Sequence, residues 1–552
     1  MSYPKNELAQ LVIAYCVAYN IKDVIISPGS RNAPLTIGFV NHPNIETYSI
    51  ADERCAAFYA LGIAQQKRKP VALVCTSGSA LLNYYPAFAE AYYSDIPLLV
   101  ISADRPKHLI DIGDGQTIRQ ENVFENHSLF NANLSAEADQ GKKNSLILQR
   151  ALKCAIQQNG PVHINVPFDE PLYETVESIS FEIFPKMETE SDDAPLKLSE
   201  YSSFWNRTKR KMILVGTHYP DQELQELLAY YADDPSVIVL TETTSNLHHV
   251  NFINSIDKII MPLDEIDFEK LHPTIVLTFG GMIVSKKIKQ LLRKFQPERH
   301  WHVDPKRGMD TFFCLSYHFK TSAIVFFKEF NTLNRKFSST YQQEWLQLKY
   351  ERNKKHDQYV SEIKFSDLKM FNTVLNSIPD RVQLQLGNSS VIRYAQLFDL
   401  KSSLSVFCNR GTSGIDGSTS TAIGASQPTD KQTIFITGDI SFFYDSNALW
   451  NDYIKNDFRI IVINNSGGGI FRILPGPQST NALNYFESPH DLNASHLCTM
   501  YGFDYECAVN MPDLNSKLSD FFTLSDQPKL LEIFTPREEN DKVLKNYFNY
   551  LK

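Results

Sequence analysis

No two cysteines are spaced as C-x-x-C. The eight cysteines of this 552-residue chain, at positions 16, 55, 75, 154, 314, 408, 498 and 507, are scattered. That spacing gives neither a zinc ligand set nor a disulfide framework, and it suits a reducing cytoplasm. Long apolar runs are also missing. Stretches such as Ile460 to Ile463 fall far short of the roughly 20 residues that cross a bilayer. The opening MSYPKNELAQ lacks the basic flank and apolar run of a secretory signal. Positive charge is in deficit: 54 Lys and Arg against 63 Asp and Glu leave a formal charge of −9. A surface of that sign excludes general binding to nucleic acid or to acidic membrane. Any work done by cations must therefore be local, in a pocket. Four common signatures are absent as well, G-x-G-x-x-G, G-x-x-x-x-G-K-[ST], G-x-S-x-G and H-E-x-x-H. Their absence closes the usual routes to a dinucleotide enzyme, a P-loop NTPase, an α/β-hydrolase and a zincin.

What is present is an apolar, aromatic-rich chain, 43% hydrophobic and 12% aromatic, long enough for about three domains. Short apolar runs alternate with helical periodicity. Strands are expected at Val24–Ser27, Glu46–Ile50, Val71–Cys75, Leu98–Ser102 and Val162–Val166, with helices at Asp52–Gln66 and Ser79–Tyr93 between them. The acidic stretch Lys186–Ser199 reads as a linker. A second block has strands near Met212–Val215, Val237–Leu240, Ile275–Phe279 and Trp301–Val303, and a polar helical stretch, Tyr341–Tyr359, leads onward. A third carries Gln383–Leu386, Val406–Cys408, Thr433–Thr437 and Arg459–Ile463. Near-continuous apolar strands separated by helices predict parallel sheets covered on both faces. The expectation is an α/β chain of three doubly wound parallel-sheet domains, at 1–185, 196–335 and 360–552.

Two fragments of the third block carry chemistry. In "TGDISFFYDSNALW" Asp439 follows a strand at a turn; in "VINNSGGGIF" Asn464 and Asn465 end the next strand and lead into three glycines. A carboxylate, an amide oxygen and a backbone carbonyl suit Mg²⁺ with bound phosphate. Gly467, Gly468 and Gly469 let backbone approach phosphate oxygens closely. Each fragment alone is ordinary turn chemistry. Together, with strand–helix–strand between Asp439 and Asn465, they resemble the thiamin diphosphate motif, which begins Gly-Asp and ends Asn-Asn. Ile440 stands where that motif often has another small residue. Such enzymes place a glutamate just after the second strand of the first domain, to relay a proton at the cofactor's pyrimidine ring. In "IADERCAAFYALGIA" Glu53 occupies that place; by itself it is also a favourable acid in a first helical turn.

The motifs "SPGSRNAPL", "DERCAAFYALGIA", "TSGSALLNYYPAFAEA", "SADRP", "GQTIRQ", "NRGTSGIDG" and "NNSGGGIF" together resemble the MenD family of thiamin diphosphate-dependent enzymes. The resemblance implies a transferase of menaquinone biosynthesis. It would decarboxylate 2-oxoglutarate and add the resulting succinyl carbanion to isochorismate, with thiamin diphosphate and Mg²⁺ (or Mn²⁺) as cofactors. It implies a homodimer or homotetramer in the cytoplasm, with each site between the pyrimidine-binding first domain of one subunit and the diphosphate-binding third domain of another. Glu53 would be the catalytic acid. Ile415, Gly438, Asp439, Ile440, Ser441, Asn465, Gly467, Gly468 and Ile470 would hold the cofactor, with Asp439, Asn465 and Gly467 on the metal. Both substrates are dicarboxylates, and arginine's planar fork suits carboxylate. Arg31, exposed by its Pro28-Gly29-Ser30 turn, would hold one such group with Ser30 as a donor beside it. Arg105 and Gln116 would line the isochorismate side. Ser389, Arg393, Arg410 and Lys286 would add anion contacts, and Phe471 an apolar wall.

Two other readings share part of this pattern. Another thiamin diphosphate 2-oxo-acid decarboxylase or an acetolactate synthase-like carboligase would keep Glu53, Asp439 and Asn465 without needing the arginines. A catalytically silent homologue would have lost the acid or a metal ligand, and all three are present.

Overall fold

The computed structural model describes residues 2–181, 183, 196–473, 476 and 480–552. A short antiparallel pair, β1 (Tyr3–Pro4) with β8 (Thr175–Val176), lies beside the first of three six-stranded parallel sheets. That sheet contains β2 (Asp23–Ile26), β3 (Glu46–Ser49), β4 (Val71–Cys75), β5 (Leu98–Asp104), β6 (Asn131–Asn133) and β7 (Val162–Pro167), in the order β3-β2-β4-β5-β7-β6. The second contains β9 (Lys211–Val215), β10 (Val237–Thr241), β11 (Phe252–Ile253), β12 (Ile275–Phe279), β13 (Arg299–Val303) and β14 (Leu315–Phe319), in the order β11-β10-β9-β12-β13-β14. The third contains β15 (Gln383–Leu386), β16 (Ser405–Phe407), β17 (Thr433–Gly438), β18 (Arg459–Asn464), β19 (Asp504–Ala508) and β20 (Lys529–Phe534), in the order β16-β15-β17-β18-β20-β19. The first and third sheets thus share one topology. The central sheet has the other common doubly wound order, in which the chain reverses direction between β9 and β12.

Central strands are buried along their whole length. Every residue of β4, β5, β9, β10 and β12 is buried, as helices on both faces require. The Glu53–Lys67 helix is capped by the Asp52 carboxylate, which accepts from Cys55 N, and ends at Arg68 in the left-handed region. Buried from Cys55 to Gln65, it joins the first sheet to the third domain. One hydrophobic core runs from Leu73 and Val100 through this helix to Phe435 and Ile460.

The α/β alternation expected from sequence is present in all three blocks. Four details differ. The expected helix Ser79–Tyr93 is two, Ser79–Asn83 and Tyr85–Ser94; Pro86 opens the second, where its missing N–H is harmless. The third-block strand expected to reach Cys408 stops at Phe407. Edge strands β6, β11, β14 and β19 and the interior strand β20 lie outside the expected set: the edges are very short or carry polar residues such as those of LSYHF and DYECA, and β20, KLLEIF, carries Lys529 and Glu532. Of the stretch Lys186–Ser199, residues 186–195 lie outside the described residues, and Ser199 opens the helix Ser199–Arg207.

The Glu53–Lys67 helix meets the Ser418–Ser426 helix through glycine on both sides. A Cβ at Gly62 would stand 2.1 Å from the Thr421 carbonyl oxygen, and one at Gly424 would stand 2.0 Å from that of Tyr59. Gly424→Ala gains about 1 kcal/mol of helix propensity. Overpacking against fixed backbone costs about 1–3 kcal/mol, so the substitution should lower the thermal midpoint. An unchanged or higher midpoint in a melting experiment would show that the helices are free to separate.

Candidate active site

In doubly wound sheets ligands bind beyond the carboxyl ends of strands, where the strand order reverses. In the third sheet that place lies between β15 and β17. A cavity of about 260 Å³ occupies it. Its wall includes Asn388 and Ser389 after β15, Gly438 at the end of β17 with Asp439 to Ser441 beyond it, and Asn465 with Gly467 to Gly469 after β18. Ser389 has φ +66°, a sparsely populated conformation for a side-chain-bearing residue and one typical of functional turns.

Asp439 organises the wall. It is 3% exposed. One carboxylate oxygen accepts from Ile440 N at 2.7 Å and the other from Gly467 N at 2.9 Å. His490 Nε2 stands 3.3 Å from the second oxygen. Gly467 has φ +147°, and a Cβ there would meet the Glu487 carbonyl oxygen at 2.7 Å; only glycine fits. Asn465 donates its amide NH₂ to Asp367 at 3.2 Å. That contact fixes the amide, and leaves its Oδ1 buried with no protein partner. A buried carbonyl-type oxygen without a donor is costly unless something else binds it. Burial raises the Asp367 carboxyl to about 6, with help from nearby Asp439 and against hydrogen bonds from Thr535 and Asn465. Asp439, Asn465 and Gly467 line the same cavity, and the carboxylate, amide and carbonyl oxygens they carry are of the kinds that suit Mg²⁺ with phosphate. Ser441 Oγ donates to the Ile415 carbonyl at 3.0 Å, which fixes Ile415 in the same wall.

Phe471 and Phe486 stack over the glycine loop, ring centroids 5.4 Å apart. Glu487 follows Phe486 and binds Arg472, the neighbour of Phe471. That carboxylate is fully buried. It accepts from Arg472, through both Nε and a terminal nitrogen, and from Arg537 at 2.9 and 2.7 Å. Burial alone would raise its pKa; the two guanidinium groups outweigh burial and hold it at about 2.

A second cluster lies at strand ends of the first sheet. Arg31, after β2, is 4% exposed, which corrects the expectation that its turn exposes it. The turn does the opposite: Arg31 N donates to Thr76 Oγ1 at 3.3 Å, and one guanidinium nitrogen donates to the Phe168 carbonyl at 3.1 Å. A second stands 3.3 Å from Glu170, and Nε is buried without a partner. Burial and the neighbouring Arg105 lower its pKa. Arg105, after β5, also has a buried, unpartnered Nε. Ser30 and Gln116 are exposed, and Gln116 has φ +56°.

Of the expected residues, the cavity brings together Ile415, Gly438, Asp439, Ile440, Ser441, Asn465, Gly467, Gly468, Ser389 and Phe471. Ile470 is buried and does not line it. Arg393 and Arg410 flank it, held by neutral acceptors: Arg393 donates to the Ser389 carbonyl at 2.8 Å and Arg410 to Asn388 Oδ1 at 2.7 Å. Glu53, Ser30, Arg31, Arg105, Gln116 and Lys286 do not line it. Arg54, next to Glu53, reaches the Asp416 and Tyr444 carbonyls of the third domain. Lys286 is exposed. Sequence reasoning missed Asp367, Asn388, Phe486 and Glu487; only Asn388 gave a local signal, since it directly precedes Ser389 in NSSVIR.

Three domain families match in succession. The N-terminal TPP binding domain of thiamine pyrophosphate enzymes matches residues 6–128, the middle domain 187–386, and the C-terminal TPP binding domain 386–533. The chain is similar to the 2-succinyl-5-enolpyruvyl-6-hydroxy-3-cyclohexene-1-carboxylate synthase of Flavobacterium johnsoniae, 56% identical with both chains covered in full. It is 54% identical to that of Christiangramia forsetii, again over all of both. With that of Porphyromonas gingivalis it shares 38% identity over 96% of this chain and 95% of the relative.

Glu487→Gln should destabilise the protein by about 3–5 kcal/mol at pH 7, because it leaves two cations facing a lost buried charge. A carboxyl held low in the folded state stabilises fully above its unfolded pKa of about 4.3. The gap between wild type and variant should therefore close as pH falls from there through about 2. Equal stability at pH 7 by denaturant unfolding would contradict the clamp.

Proposed function

The chain belongs to the family of 2-succinyl-5-enolpyruvyl-6-hydroxy-3-cyclohexene-1-carboxylate synthases, thiamin diphosphate-dependent transferases of menaquinone biosynthesis, and we propose that its two strand-end clusters are the halves of that family's active site. The observation that carries this reading is the unpartnered, buried Asn465 oxygen beside Asp439 and the Gly467 carbonyl. In this reading these three oxygens hold Mg²⁺, or Mn²⁺ in its place, and Gly438, Ile440, Ser441 and Gly468 line the diphosphate. When bound, thiamin diphosphate supplies the electron sink that decarboxylation of a 2-oxo acid requires. Ile415 and Ile470 give the cofactor apolar support. Glu53 moves the proton at the pyrimidine ring nitrogen.

The substrates in this reading are 2-oxoglutarate and isochorismate. Ser389, Arg393 and Arg410 present donors to the carboxylates of the first. Burial and Arg410 lower the pKa of Arg393, so the pair gains from a bound anion that relieves their repulsion. Arg31, Arg105, Ser30 and Gln116 receive the second, with Lys286 as a further cation and Phe471 as an apolar wall for the ring. Unpartnered guanidinium nitrogens on Arg31, Arg105 and Arg410 support these assignments.

Two copies complete the site in this reading. The cavity is lined by residues between 367 and 488, which agrees with Glu53 arriving from another subunit. Exposed Leu82, Tyr93 and Trp450 suit burial in a homodimer or homotetramer. We assign the pyrimidine side to residues 1–185, the diphosphate side to 360–552 and the central domain to 196–335. A cytoplasmic location agrees with the scattered cysteines; no helix among the described residues is long and apolar enough to cross a membrane.

With thiamin diphosphate and Mg²⁺ present, the purified protein should consume isochorismate and release CO₂ from 2-oxoglutarate but not from pyruvate. CO₂ release without loss of isochorismate would place it among simple decarboxylases. Glu53→Gln should lower turnover about 10²–10⁴-fold with cofactor binding retained, measured by calorimetry. Loss of binding together with activity would remove Glu53 from its assigned role.

A further inference from the structure

The central sheet reverses strand order between β9 and β12, the place where a doubly wound domain ordinarily binds a ligand. Here the crevice is closed by its own backbone. A Cβ at Gly216 would meet the Gly281 carbonyl oxygen at 2.0 Å, and Gly281 N donates to the Thr217 carbonyl at 2.7 Å. Beside it, the turn 242–246 after β10 is packed against the third domain.

That turn grips three elements, each of which carries cations. Glu242, 2% exposed, accepts from the Gln396 side-chain amide and, at 3.1 Å, from Ser285 N. Gln396 in turn accepts from Thr243 N at 2.9 Å and Thr243 Oγ1 at 3.0 Å. It directly follows the Ser390–Ala395 helix, which carries Arg393. Asn246 pairs with Val406 as a strand would, donating to its carbonyl at 2.9 Å and accepting its N–H at 2.7 Å. Val406 lies in β16, and Arg410 follows three residues after that strand ends. Ser285 caps the helix Lys286–Lys294 and donates to Asp257; within that helix Lys289 faces Glu242 and Arg410. Arg393 and Arg410 have no ion-pair partner among the described residues. Asp257 acts on Arg393, and Glu242 on Arg410, by charge alone, while their hydrogen bonds run to the neutral Ser389 carbonyl and Asn388 Oδ1 beside the cavity.

We propose that Glu242, through Gln396, Ser285 and the Asn246–Val406 pairing of its turn, is a positioning residue that sets the spacing of Arg393 and Arg410 for a dicarboxylate substrate. The central domain then contributes to substrate recognition without touching substrate. Burial and the nearby Asp257 push the Glu242 carboxyl up to about 7, against the pull of Ser285, Gln396 and Arg410. A group so disfavoured as a charge gains most from the donors and cations gathered round it.

This inference rests on the reading that Arg393 and Arg410 hold substrate carboxylates, so the test measures both. Steady-state kinetics and thiamin diphosphate binding are compared for wild type, Glu242→Gln, Asn246→Ala and Arg393→Ala. Glu242→Gln keeps the shape but loses an acceptor; Asn246→Ala removes the pairing with β16, together with the bond to the His218 carbonyl, leaves the Glu242 contacts in place, and serves if the first variant fails to fold. Both should raise KM for 2-oxoglutarate about tenfold, with kcat within threefold and cofactor affinity unchanged. A KM within twofold of wild type in both, or a fall of kcat and cofactor affinity together, would overturn the inference while a raised KM in Arg393→Ala left the arginine reading standing. An unchanged KM in Arg393→Ala would sink both.

Discussion

The carboxylate of Asp439 ties the end of β17 to the loop after β18, and the rest of the site depends on that tie. Its two oxygens take N–H groups from Ile440 and Gly467. With the loop so placed, Gly467 must adopt φ +147° against the Glu487 carbonyl, and the Asn465 amide must turn its NH₂ to Asp367. What remains is one buried oxygen without a donor. A set of neutral and anionic oxygens converging on a glycine loop has a ready physical use, which is to share a hard cation with phosphate.

The acid assigned to the proton relay, Glu53, is not among the residues that line the cavity. Glu53 stands at the start of a helix on the first sheet, while its neighbour Arg54 is engaged with the third domain. The first and third sheets share one strand order, so each presents equivalent strand ends, one rich in arginine and one in oxygen donors. On the proposed reading the two kinds of end meet across a subunit boundary. The central sheet, with a different order and a closed crevice, holds the arginine-bearing elements in place instead of binding a ligand of its own.

Much of this was legible in the sequence, for a local reason. Strands covered on both faces are apolar along most of their length, so β4, β9 and β12 show plainly in the chain, while β15, QLQL, shows by its alternation. Ligand-binding turns at their ends are short motifs, and Asp439, Asn465, Gly467 and Ser389 fall within them. The features that were not legible depend on distant contacts. Asp367 caps nothing in the motif and reaches Asn465 across 98 residues. Arg31 is buried because Thr76 and Phe168 close over it. Glu487 and Glu242 act through partners on other segments. Edge strands carry polar residues because one of their sides faces solvent.

The central claim is that oxygen donors and acid come from different copies of the chain. It is tested most directly by mixing two variants, Glu53→Gln and Asp439→Ala, each inactive alone, under conditions that exchange subunits. The account predicts that activity reappears on mixing, since mixed dimers hold one site with both groups intact. Confirmed subunit exchange with no recovery of activity would contradict it, and would place Glu53 and Asp439 in one site within a single chain.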